Sequence, residues 1–442
     1  MSTQPQWQPE RARAEVEGAR WRLLTRVAFR FCFAYLTFFC LTTQILTGLF
    51  PIPTIHIPDL GGIPPVRPVV LWTAAHVFGV SKPLVYQGSG SGDKTFDWVL
   101  SFCGLAAAAI VTAVWSILDR KRENYVALHK WFHTILRFAV GSELLLYGMV
   151  KFVPLQMPFP FLTRLLEPFG NFSPMGVLWS SIGASPAYEM FTGCAEMLGG
   201  ILLFIPRTAV FGALVCLADT TEVFMLNMTY DVPVKLFSFH LIVMSLILLA
   251  PELGRIARFF FSDEAVDPPR QAALFGSARA NRVALAVQLV FGLLLIAGNA
   301  YGAWTSWHRY GGGAPKSPLY GIWNVDQFFI DGEIRPPLLT DKQRWRRVIF
   351  DRPAFAAVQR MDESFVGYAA GIDLKESSIS LTSADKNSKA ALKFQRMGRQ
   401  HLTLDGPMDA HRVRVELTLF DRNALLLVNR GFHWIQEYPF NR

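Results

Sequence analysis

Glu189, Gly193, Glu196 and Gly200 recur at the i, i+4, i+7 and i+11 positions of one apolar run. On a helix this spacing puts two carboxylates and two small residues on a single face. In the next apolar run, Cys216, Asp219 and Glu222 lie three apart and share a side. The run before carries Arg137, Glu143 and Lys151, and the run after carries His240. A charged side chain at mid-bilayer costs roughly 2.5–3.5 kcal/mol even on the lenient insertion scale, so such groups face the bundle interior and pair. The expectation is one connected polar cluster of Lys151, Glu189, Glu196, Asp219, Glu222 and His240. Arg137 and Glu143 are secondary polar candidates. Lys151 is placed to pair with Glu189 or Glu222. Four acids sharing protons would suit proton or cation coupling, and the same set would serve as a hydrogen-bonded network that only holds helices together. No HxxxH or ExxH spacing among these cluster residues fixes a metal site, so none is expected.

Cys32, Cys40, Cys103, Cys194 and Cys216 all lie in apolar segments, and no CxxC occurs. Cys194 sits about 140° around the helix from Glu189, at 100° per residue, and so off the acidic face. These cysteines read as small hydrophobes.

The elements that position these residues are membrane spans. Of 442 residues, 51% are hydrophobic and 17% charged, against about 25% charged in soluble proteins. A bilayer core needs roughly 20 apolar residues as helix. Seven runs qualify: 27–50, 97–117, 131–150, 186–206, 208–226, 234–250 and 283–305. Pro206 and Arg207 leave only a tight turn between the fourth and fifth. The formal charge of +9 flanks the spans and is read as a topology signal, with no nucleic-acid partner expected. Alternate loops hold 15 and 6 Lys plus Arg, the richer set including Arg11, Arg13, Arg120, Lys121, Arg255 and Arg282. The N-terminus is therefore expected in the cytoplasm and the C-terminus outside, in a bacterial inner membrane. The polar first 20 residues lead into an apolar run near Val27 that reads as a retained anchor.

The expected organisation is a basic N-terminus (1–26), a transmembrane helical domain (27–305), a linker (306–343) and an extracytoplasmic all-β domain (344–442). Proline-rich residues 51–96 are expected to fold over the bundle mouth without regular helix. Residues 152–185 are expected to be interfacial or re-entrant. Gly311, Gly312 and Gly313 suggest a flexible junction. Alternating runs from about Trp345 to ALLLVN (424–429) read as strands, with Asp405-Gly406 as a turn. The aromatic tail FHWIQEYPFNR is expected to pack on the sheet.

The run LRFAVGSELLLYGMVKFV (136–153), with Arg137, Gly141, Tyr147, Gly148 and Lys151, resembles the opening of a DoxX-like membrane domain. Glu196, Gly199, Gly200, Arg207 and Thr208 are similar to that family's next helix and turn. The likeness covers about 131–250. A weaker likeness is to carboxylase-type (HTTM) transmembrane domains. The first resemblance implies a membrane component of a quinone- or thiol-linked oxidoreductase system, with quinone as the implied cofactor. The residues themselves leave open a proton- or cation-coupled transporter, and a non-catalytic assembly or sensing protein whose β domain binds a protein partner.

Overall fold

The computed structural model describes residues 20–51, 57–266 and 273–441. Most of the expected basic N-terminus, residues 52–56 of the proline-rich loop, and Arg270 lie outside the described residues. The chain divides into a helical unit, up to Val153 and from Glu189 to Thr305, and a β unit, from Pro154 to Tyr188 and from Ser306 onward.

Helices occupy all seven apolar runs. In the helical unit they are α1 (Leu23–Thr42), α2 (Gln44–Gly48), α3 (Val66–His76), α4 (Thr95–Leu118) and α5 (Val126–Phe152). After α6 (Pro174–Gly183), which belongs to the β unit, come α7 (Pro186–Phe204), α8 (Ala209–Thr229), α9 (Lys235–Leu249), α10 (Leu253–Phe261) and α11 (Ala278–Arg309). Among the described residues five stretches are long and apolar enough to cross a membrane: α1, α4, α8, the run Lys235–Phe261 and α11. α5 and α7, which carry most of the intramembrane charge, fall outside that group, so length and composition bear out five of the seven expected spans among the described residues. Outward-facing Ile110, Ile117, Val287, Leu293 and Leu294 are all more than half exposed, which is the surface lipid would solvate.

Two expectations about helices are corrected. The first run does not continue to residue 50, because α1 ends at Thr42 and Thr43 is extended. The hydroxyls of Thr42 and Thr43 donate to the carbonyls of Phe38 and Phe39 at 2.8 and 2.7 Å, and such back-bonding bends helices. The proline-rich loop does contain a helix, α3, whose Val70 and Ala74 pack against Phe96, Val99 and Leu100 of α4.

The β unit is an eight-stranded antiparallel barrel. β1 (Gly321–Ile330) pairs with a two-residue strand β2 (Glu333–Ile334) and with β3 (Trp345–Phe350). β4 (Phe355–Arg360), β5 (Phe365–Asp373), β6 (Ser378–Ser383), β7 (Lys389–Met397), β8 (His401–Met408) and β9 (His411–Leu419) follow in simple meander order. Closure comes from β1 on β9, from Trp323 opposite Leu419 to Ile330 opposite Val413. Trp323, Phe328 and Phe350 are at most 1% exposed and fill the interior, as eight strands allow. The barrel is therefore a packed core. At one end, the Asp331 carboxylate accepts from the Arg412 N–H and pairs with His411 at 2.7 Å. These bonds, the backbone one first, hold its carboxyl below the usual carboxylate range.

Several β-domain expectations change. The strands begin at Gly321, inside the expected linker. Residues 154–188 belong with the barrel: Leu162 packs on Ile322, Ile349 and Ala357, and its N–H donates to Asp351 at 3.1 Å. The three glycines are a packed turn, because a Cβ at Gly312 or Gly313 would lie 2.4 or 2.5 Å from the Trp307 ring. Asp405-Gly406 lies within β8, and the turn is at Asp409, with φ of 53°. Gly406 is required there because a Cβ would sit 2.4 Å from the Ala391 carbonyl oxygen. The run ALLLVN forms a short helix, α12 (Leu426–Asn429). The aromatic tail does not pack down: Trp434 is 90% exposed.

Candidate functional site

The acidic face of α7 exists, and it packs on α5. A Cβ at Gly148 would lie 2.7 Å from the Gly193 carbonyl oxygen, and one at Gly193 would lie 2.5 Å from that of Gly148. One turn pair away, a Cβ at Gly200 would lie 2.7 Å from the Gly141 carbonyl oxygen. Two glycine pairs at matching seven-residue spacing let the antiparallel backbones touch. Gly193→Leu is expected to drive the helices apart and lower the yield of folded protein in detergent several-fold, read by size-exclusion chromatography. A variant as monodisperse as the wild type would refute that packing.

This crossing explains which acid Lys151 meets. The register sets Lys151 opposite residue 190, but side chains lean toward the N-terminus of their own helix. Lys151 therefore reaches back along α5 and pairs with Glu196. Lys151 and Glu196 are 8% and 3% exposed, and Glu189 is fully buried. Asp219 is half-buried and Glu222 exposed. Lys151, Glu196 and Glu222 all lie within electrostatic reach of Asp219. The second oxygen of Glu196 and one oxygen of Asp219 are buried with no hydrogen-bond partner among the described residues.

His240 bonds elsewhere. Its Nδ1 lies 2.7 Å from the Leu236 carbonyl oxygen and its Nε2 lies 2.6 Å from the Tyr35 hydroxyl. A carbonyl can only accept, so Nδ1 holds the proton and the neutral ring accepts the Tyr35 proton at Nε2. Phe39 stacks on the ring at 3.9 Å. Glu143 likewise sits in its own group: Gln44 donates to its carboxylate at 2.8 Å and to the Tyr147 hydroxyl at 2.9 Å. Gly48 of α2 lies close beside it: a Cβ there would lie 2.6 Å from a Glu143 oxygen. Arg137 Nε donates to the Leu203 carbonyl at 2.8 Å.

Tyr35, Phe39, Gln44, Tyr147 and Phe237 line a cavity of about 370 Å³, together with Asp59, Tyr86, Lys94 and Asp97. Tyr147 lies within electrostatic reach of both Glu143 and Glu196, so it links this cavity to the Lys151 pair. Tyr35, Gln44 and Phe39 gave no sequence signal, because aromatics and a lone amide in an apolar run read as ordinary span residues. Arg30 was missed too: it is 1% exposed and donates to the Tyr125 hydroxyl, Ser116 and the Asp119 carbonyl.

No family model matches this chain, and no solved structure does. The uncharacterised protein YwoB of Bacillus subtilis (strain 168) is 32% identical over 132 residues, which are 28% of this chain and 78% of that protein. With a match of that identity over more than two thirds of the relative, the chain belongs to the family of YwoB.

Proposed function

We propose that the helical unit is a quinone-binding membrane component of a quinone-linked oxidoreductase system, with the cavity at Tyr35 and Tyr147 as the headgroup site. The observation behind this reading is the Tyr35–His240 hydrogen bond on the wall of an aromatic-lined cavity. A quinone headgroup is a flat ring with two carbonyl acceptors, and it supplies two-electron redox chemistry when bound. The residues fit such a ring. Phe39 and Phe237 offer apolar faces. The Tyr147 oxygen accepts from Gln44, so its own proton is available to a carbonyl. Tyr35 directs its proton at His240, so its oxygen can accept from a quinol hydroxyl. The placement of the N-terminus inside and the β barrel outside a bacterial inner membrane rests on the loop charge asymmetry.

Binding of a short-tail ubiquinone to the detergent-solubilised protein tests the reading. Tyr147→Phe is expected to weaken binding about tenfold, as loss of one buried hydrogen bond to a polar ligand does. No binding by the wild type, or equal binding by Tyr147→Phe, would sink the proposal.

A second reading, a proton- or cation-coupled transporter, has its own support. Glu196 and Asp219 each present a buried oxygen without a partner among the described residues, and Lys151 lies beside them.

A further inference from the structure

Arg137 is 6% exposed. Its Nε is fixed on the Leu203 carbonyl, and its Nη2 is buried with no hydrogen-bond partner among the described residues. No carboxylate among those residues forms an ion pair with it. An uncompensated buried cation is costly, and breaking a buried pair typically costs about 3–5 kcal/mol. Arg137 lines a second cavity, of about 750 Å³, at the end of the helical unit away from Tyr147. Lys130, His133 and Thr134 line the same cavity. With Arg137 they follow the i, i+3, i+4, i+7 rhythm, one polar face of α5 running about 10 Å along the helix at 1.5 Å per residue. Arg282 and Gln288 of α11 form the opposite wall. The acid in the lining, Glu252, is already paired with Arg255 at 3.0 Å.

A deep arginine held from behind, with a lysine leading to it, is built to receive an oxyanion; the Thr134 hydroxyl and His133 Nε2 between them already donate to the Lys130 and Leu248 carbonyls. We propose that this cavity binds a phosphate oxyanion, with Arg137 as the terminal ligand and Lys130 and Arg282 at the mouth. The phosphate is either free or the headgroup of an anionic lipid. The site is separate from the Tyr35 cavity and does not depend on the quinone reading.

The full-length protein, stripped of lipid by detergent exchange, is titrated in two arms while its thermal unfolding midpoint is followed. One arm adds inorganic phosphate. The other compares nanodiscs of phosphatidylcholine with nanodiscs also containing phosphatidylglycerol. A rise in midpoint in either arm is expected, and the arm that responds names the source. Arg137→Met removes the uncompensated charge, so it is expected to fold at least as well without anion and to lose at least tenfold in apparent affinity. Lys130→Ala, at the mouth, is expected to lose a smaller part of the response. The wild type unmoved in both arms overturns the proposal. So does an undiminished response in both Arg137→Met and Lys130→Ala. If Arg137→Met does not fold, Lys130→Ala decides alone, and a response equal to the wild type's refutes the site.

Discussion

Lys151→Met is expected to destabilise the helical unit by about 3–5 kcal/mol, the usual consequence of leaving one buried partner charged and alone. Glu196 would remain 3% exposed, with both carboxylate oxygens unsatisfied where one is satisfied now. The neutral pair should recover much of the loss: in Lys151→Met with Glu196→Gln, residue 196 no longer carries a buried charge without its partner. Chemical denaturation of all three variants and the wild type in one detergent closes the cycle. A single mutant as stable as the wild type would show that the pair has no energetic role. A double mutant no better than the single would show that Lys151 acts through packing of its stem and not through charge.

How far this site could be read from the sequence depends on the range of each interaction. The α7 face was legible because helical spacing alone sets Glu189, Gly193, Glu196 and Gly200 in line. The partner of Lys151 was not, because it depends on the backbone contact of Gly148 with Gly193. His240 was expected beside the acids because its depth matched theirs. Its rotation about α9 turns it to Tyr35 and Phe39 instead, and a helical wheel of one element cannot show which neighbour fills that side. The end of α1 was hidden because Thr42 and Thr43 back-bond as Thr134 and Thr220 do inside helices that continue.

The same contrast holds in the barrel. β5 to β9 alternate cleanly and were readable. β1 was missed for two physical reasons. A bulge between Val325 and Gln327 breaks its period of two. Ile322 and Trp323 are consecutive and both buried, because Leu162 covers the outer face while Trp323 fills the inner one.

Trp323→Ala is expected to destabilise the barrel by about 3–5 kcal/mol, the range for removing a large buried aromatic. Trp323 is fully buried, and its indole N–H donates to the Leu319 carbonyl at 2.9 Å. The substitution therefore removes core volume and leaves an acceptor without its donor. Trp323→Phe keeps most of the volume and is expected to cost less than half as much. Hydrogen exchange of peptides from β1 and β9, followed by mass spectrometry, reads the loss locally. Unchanged protection in Trp323→Ala would mean that the interior is not the source of the barrel's stability.

The closure of β1 on β9 also sets an order of events during synthesis. From β3 to β9 every strand pair joins neighbours in sequence, and only the two-residue β2 intervenes between β1 and β3, so each hairpin can form as it emerges. Trp323 and Leu419 are the far ends of the chain segment that must meet last. Until residue 411 has been made, the growing domain is an open curved sheet with two bare edges, the form most prone to pair with another chain. A message cut short just before β9 therefore yields a sticky intermediate rather than a smaller stable domain. Strand β9 acts as a completion check on the barrel.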